Sequence, residues 1–177
     1  MVRRLIVGVA LASSAALSVA GCGSDEPKEA PEVAWAGKAC GVLNQGKTLA
    51  VPKIDAVDVV QSKQNLVTML DDISARLKTL SMDMQGLGAP PVPGGQAVHA
   101  TAMGRLTSTS SAVTTASRQL RKAKVTDAKS LQRAIKRVGA AFAAYSGYQG
   151  PQQDLRANPA LNSAFAKAPG CQAEKTS

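Results

Sequence analysis

The sequence predicts an all-α fold: an antiparallel bundle of about four helices plus a short C-terminal helix, preceded by a signal peptide and a flexible tether. Three observations carry this reading. Beyond position 32, apolar residues recur in steps of three and four, the period of a helix buried along one side. No segment alternates apolar and polar residues as a half-buried strand would. The breaks between periodic segments are short and marked by Gly, Pro or Asp, so successive helices must turn back on one another.

The first helix is expected over residues 33–50, with Val33, Ala36, Cys40 and Leu43 on one face and Gly37, Gly41 and Gly46 weakening it. The second, over about 56–87, carries the seam Val59, Leu66, Leu70, Ile73, Leu77, Leu80, Met84 and Leu87, whose regularity predicts a long helix packed at a shallow angle. The run GLGAPPVPGG ends it, because Pro90, Pro91 and Pro93 cannot continue a helix. A third helix over about 96–124 aligns Ala102, Leu106, Thr109, Val113, Ala116, Leu120 and Ala123. After a turn at 125–127, Asp127 is a candidate N-cap for a fourth, with Leu131, Ile135, Val138, Phe142 and Tyr145 inward. Gly147 and Gly150-Pro151 end that helix. Asn158-Pro159, an N-cap followed by proline in the first helical position, opens the short last helix and buries Leu161 and Phe165. With two Phe, two Tyr and one Trp in 177 residues, the core must be built from aliphatic side chains and alanine, which lets helices approach closely.

The first 21 residues have the form of an export signal: Arg3 and Arg4, an apolar run from Leu5 to Leu17, then the small residues Ala20 and Gly21. The run is too short for a stable membrane span. Val19-Ala20-Gly21-Cys22 resembles the bacterial lipobox, which implies cleavage before Cys22 and a diacylglycerol on its thiol. Two acyl chains anchor a protein stably where one does so marginally. Arg3-Arg4 reads as ordinary signal charge, since the other positions of a twin-arginine motif are missing. Residues 22–32 are polar, without apolar period, and read as the lipidated cysteine and its tether; ten extended residues span about 35 Å. The helical domain then occupies 33–177. If Cys22 carries lipid, Cys40 and Cys171 are left as a pair for a disulfide in an oxidising compartment.

Charge is concentrated. The whole chain has a formal net charge of +9, and loss of Arg3 and Arg4 with the signal leaves +7. Between positions 118 and 137 lie Arg118, Arg121, Lys122, Lys124, Lys129, Arg133, Lys136 and Arg137 against Asp127 alone, which is also +7. The rest of the mature chain is therefore neutral. Basic residues at the end of the third helix complement its dipole, and charge on an outer face keeps a bundle soluble. The functional reading is an anionic partner. Alternating helix directions put this turn at the end away from the tether, which favours a wall polymer or another exported protein over the protein's own bilayer. Nucleic acid is disfavoured, for want of a helix-turn-helix or zinc-finger pattern or of aromatics interleaved with the basic run.

Chemistry-bearing patterns are sparse, and no cofactor or metal is implied. His99 is the only histidine, without Cys, Asp or Glu at zinc-ligand spacing, and reads as structural. No G-x-S-x-G motif exists to join it in a triad. Asp71 and Asp72 point about 100° apart on a helix, and Asp72 stands four before Arg76 as a helix-stabilising pair. Met82 and Met84 cannot share a face, so they make no thioether site. GLGAPPVPGG lacks the lysine and strand-to-helix context of a phosphate loop. Trp35, Phe142, Tyr145 and Tyr148 would line a sugar or lipid pocket if they converged; their spacing reads first as core packing.

The lipobox, polar tether, Ala-rich helices and terminal Ala-Pro-Gly-Cys at 168–171 together resemble the small secreted lipoproteins of high-GC Gram-positive (actinobacterial) bacteria. That resemblance implies a lipid-anchored, extracytoplasmic location and transfers no residue role beyond Cys22. The expected function is non-catalytic binding of another envelope component through the basic end. The alternative is a small-ligand carrier with a cleft between helices, and the third is an unrecognised enzyme.

Overall fold

The computed structural model describes residues 29–45, 52–55, 57–145 and 147–172. Cys22, the signal segment and most of the tether lie outside these, as does the side chain of Tyr145. Among the described residues there are six α-helices: α1 (Pro31–Asn44), α2 (Val59–Leu87), α3 (Gly95–Lys122), α4 (Ala128–Phe142), α5 (Pro151–Arg156) and α6 (Pro159–Lys167). Short 3-10 turns follow α4 at Ala143–Tyr145 and α6 at Pro169–Cys171. No strand occurs among the described residues.

The antiparallel hairpin of α2 and α3 is the spine. Lys63 reaches the carbonyls of Arg121 and Ala123, Asp71 accepts from Ser117 and Arg121, Ser74 meets Thr114, and His99 meets the Met84 carbonyl. Partners on α3 fall back as those on α2 advance, so the helices run in opposite senses in one register. At 1.5 Å per residue, α2 is about 43 Å long, and α3 nearly matches it.

The other helices clad opposite ends of this spine. Trp35, near the start of α1, donates from Nε1 to the Gly88 carbonyl at 3.2 Å, which fixes that start beside the Pro-rich connection. There α1, α5 and α6 close over the ends of α2 and α3, burying Ala36, Ala39, Met84, Ala102, Leu155, Leu161 and Phe165. Trp35 packs edge-on against Phe165, with ring centroids 6.4 Å apart. Cys40 and Cys171 are joined by a disulfide that ties α1 to the chain's end across 131 positions. A second cluster, Val67, Leu70, Val113, Ala116, Leu120 and Ala134, lies towards the other end, where α4 alone lies over the hairpin. Every helix, both clusters and the disulfide fall between residues 31 and 171, so a chain starting at Gly23 contains the whole described folded unit.

Several boundaries differ from expectation for identifiable reasons. Pro31 in the first turn starts α1 within the stretch read as tether. That helix ends at Asn44 rather than 50; residues 46–51 lie outside the description. The fourth helix tightens to 3-10 geometry after Phe142, short of Tyr145. A further helix, α5, begins at Gly150-Pro151, read from sequence only as a stop. Proline in the first helical position opens α5 by the same logic that opens α6, where Asn158 accepts from the amides of Ala160 and Leu161.

In the chain-entropy argument a bridge closing so long a loop is worth at most about 5 kcal/mol. Reduction, or Cys40→Ala with Cys171→Ala, is expected to lower the denaturant midpoint by a large part of that, and an unchanged midpoint would refute the bridge as a stabiliser. Gly88 turns the chain out of α2 with φ +68° and ψ −175°, a conformation essentially confined to glycine. Gly88→Ala should cost about 1 kcal/mol or more. Gly104, exposed on α3 with open space around it, should respond oppositely, Gly104→Ala gaining about 0.5–1 kcal/mol by helix propensity. Thermal melts of the two variants decide the signs.

Candidate functional site

The basic end is assembled from the C-terminal turns of α3, the connection through Val125 and Thr126, and α4. Asp127 caps α4, accepting the Ser130 amide at 2.7 Å, while Ser130 Oγ accepts the Asp127 amide at 3.0 Å, a reciprocal capping box. These bonds hold the Asp127 carboxyl below its ordinary range, Ser130 contributing most and Arg133 adding a smaller electrostatic share. The one acidic residue of the segment is therefore engaged in building the turn.

Arg121 is likewise engaged. Its guanidinium meets Asp71 at 2.6 Å, and the same carboxylate accepts from Ser117 Oγ at 2.6 Å. The Ser117 hydrogen bond is the largest influence lowering the Asp71 carboxyl below its usual value, with Arg121 assisting against the opposing effect of burial. This inter-helix bridge was missed in the sequence, where Asp71 stood out only as the neighbour of Asp72. Lys63 on α2 is a further missed contributor: its ammonium bonds the Arg121 and Ala123 carbonyls at 2.9 and 2.8 Å, satisfying the orphan carbonyls at the end of α3.

The seven other cations, Arg118, Lys122, Lys124, Lys129, Arg133, Lys136 and Arg137, are exposed, and among the described residues none forms an ion pair. Neither α3 nor α4 contains an Asp or Glu. Between these helices lies an open depression of about 410 Å³, with Leu120, Ala123, Ala134 and Val138 beneath and Lys122 and Arg137 at its edges. A second, of about 470 Å³, follows along the same two helices between Thr107, Ser108, Ser111, Ala112 and Thr115 on α3 and Ala141 on α4.

Trp35, Phe142 and Tyr148 do not converge on a pocket, and the side chain of Tyr145 lies outside the described residues. Trp35 sits in the disulfide-bearing cluster, Phe142 flanks the other, and Tyr148 lies half-buried beside α5. Near Tyr148, the buried Asp154 holds Arg105 at 2.8 Å through Oδ1, while Asp154 Oδ2 and the Tyr148 hydroxyl have no hydrogen-bond partner within bonding geometry. Burial, reinforced by the adjacent Asp154 charge, pushes the Tyr148 phenol well above its ordinary range. His99 Nε2 faces the Met84 carbonyl at 3.1 Å and so completes the C-terminal turn of α2. Met84 is fully buried and Met82 largely exposed, on different faces as expected. Among the described residues no group of three or more His, Cys, Asp or Glu could hold a metal, and no helix is long and apolar enough to cross a membrane.

No family model, curated protein or solved structure matches the chain.

The Asp71 bridge makes a prediction about acid. A carboxyl with a lowered folded pKa contributes stability that is complete above its unfolded value near 3.8 and lost as pH falls through the lower folded value. Asp71→Asn should lower the melting temperature at neutral pH and shrink the difference from the parent below the carboxylate range. A difference that stays constant down to pH 2 would show that the bridge's ionisation is irrelevant to stability.

Proposed function

We propose that the protein is a membrane-anchored extracytoplasmic lipoprotein, held by a diacylglycerol on Cys22, whose helical domain binds an anionic envelope component without catalysing a reaction. The observation that carries this reading is the set of seven cations lacking ion-pair partners among the described residues, on two helices without a carboxylate. Fields of one sign over an exposed surface draw oppositely charged partners and speed their encounter. The start of α1 beside the Pro-rich connection supports a placement in which a tether leaves from one end and the basic turn faces away from it. An anionic wall polymer or an acidic exported protein fits that placement better than the lipid layer holding the anchor.

The test is capture from envelope extract by residues 23–177, beside a variant carrying Lys122→Gln, Lys124→Gln, Lys129→Gln and Arg133→Gln. Arg121 is left intact because its charge serves the Asp71 bridge. A partner is expected on the parent domain alone, eluting as salt rises. Equal capture by both would remove the basic end from the function.

A further inference from the structure

We propose that the groove between α3 and α4 binds one molecule of an anionic amphiphile, a phosphate ester on a long alkyl or prenyl chain. Its phosphate would lie between Lys122 and Arg137, and its chain would run along the helix pair towards Thr107. The proposal rests on reading the basic end as an anion-binding surface, and it names the ligand chemistry that the groove itself selects.

Charge alone would suit any polyanion. The groove adds something a bare phosphate polymer would leave unused. Lys122 stands on α3 and Arg137 on α4, so the two cations edge the depression from opposite helices, above Leu120, Ala134 and Val138. A headgroup held there would meet an ammonium and a guanidinium, the latter suited to bidentate phosphate contact. Apolar atoms attached to that phosphate would cover the aliphatic residues beneath it.

The second depression extends the path. Gln119 in the first and Thr115 in the second are one helical turn apart on α3, while Val138 and Ala141 are three residues apart on α4. From Thr107 to Ala123 the α3 wall runs about 24 Å. Along it, only Lys122 and Arg137 of the residues lining the two depressions are ionisable, and both lie at one end. A ligand charged at one end and uncharged along its length matches the groove; a polymer with a charge at every repeat would engage the cations outside it and leave the uncharged length unused. Both volumes fall in the range of small-molecule sites, about 300–1,000 Å³.

The experiment is calorimetric titration of residues 23–177 with dodecyl phosphate below its micellar concentration, beside inorganic phosphate, polyphosphate and the uncharged dodecyl maltoside. Dodecyl phosphate is expected to bind saturably at one site and more tightly than each of the other three. Lys122→Gln with Arg137→Gln should weaken it by about tenfold or more. Lys38→Gln with Lys78→Gln, which removes equal charge from exposed positions on α1 and α2, should leave it within about threefold. Ser111→Trp, an exposed position on the α3 wall, should weaken binding with no change in charge; circular dichroism confirms that each variant is folded. Phosphate or polyphosphate binding as tightly as dodecyl phosphate would overturn the amphiphile while leaving the anion-binding reading intact. Equal binding of the maltoside would overturn both. Equal loss in the two charge variants would replace the groove by a diffuse field, and no saturable binding of dodecyl phosphate would end the proposal while the extract capture still stood.

Discussion

Every other helix is placed by the seam along which α2 and α3 meet, and that seam is set by the size of the side chains that form it. Two helices of nearly thirty residues keep one register through Ala102, Leu106, Val113, Ala116 and Leu120 on α3 and Val67, Leu70 and Met84 on α2. Ala102 and Ala116 let the backbones approach, and leucine or methionine opposite fills the remaining space at the density of a protein interior. The polar ties along the same edge, Ser74 to Thr114 and Asp71 to Ser117 and Arg121, are directional. They add little to burial, but a slip of one turn would break them all, so they fix the register that aliphatic packing alone leaves loosely specified.

The two ends of this spine are stabilised by different means. At the Pro-rich end the chain returns twice, as α1 and as α5 with α6, and the cluster they form holds Trp35, Phe165 and the disulfide. Hydrogen bonds from Trp35 to Gly88 and from Asn158 to the Pro93 carbonyl lock the connection itself. Among the described residues the other end has a cluster of aliphatic side chains, one covering helix and no disulfide. With no further helix among the described residues laid over it, the line along which α4 packs against α3 stays open to the surface, and the depressions lie along that line. The open surface is thus a consequence of helix count, and the charges were placed where the topology had left room.

Periodicity exposed the long elements because their apolar stripes repeat over many turns, and caps exposed α4 and α6 because Asp127 and Asn158 are side chains suited to orphan amides. The disulfide was legible by elimination among three cysteines. What was not legible had no periodic signature. Helix α5 is six residues long, too short to show a stripe, and its Gly150-Pro151 start serves as well for a loop. The division of the core into two clusters depends on where α1 and α4 sit along the hairpin, which no local pattern encodes. For the candidate site, the sequence located the eight basic residues but could not sort them. Only three-dimensional contact separates Arg121, committed to Asp71, from the seven that form no ion pair among the described residues, and only contact brings in Lys63.

The energetic logic of that sorting bears on why the charges exist. Arg121 and Lys122 at the end of α3 lie where a helix dipole favours cations, so their presence needs no further cause. The cations of α4 have no such support. Lys129 lies in the first turn, where the dipole opposes it. Lys129, Arg133 and Arg137 follow at intervals of four on one face, each neighbouring pair costing about 0.2–0.5 kcal/mol in a helix without acids to offset it. Arg118 and Lys122 repeat the interval on α3. A surface serving solubility alone would intersperse both signs and avoid this cost. Here carboxylates are absent from both helices, and the one at the turn between them is bound up in its capping box. Repulsion of this kind falls when an anion binds, so part of the strain written into α4 becomes part of the affinity for a ligand that relieves it.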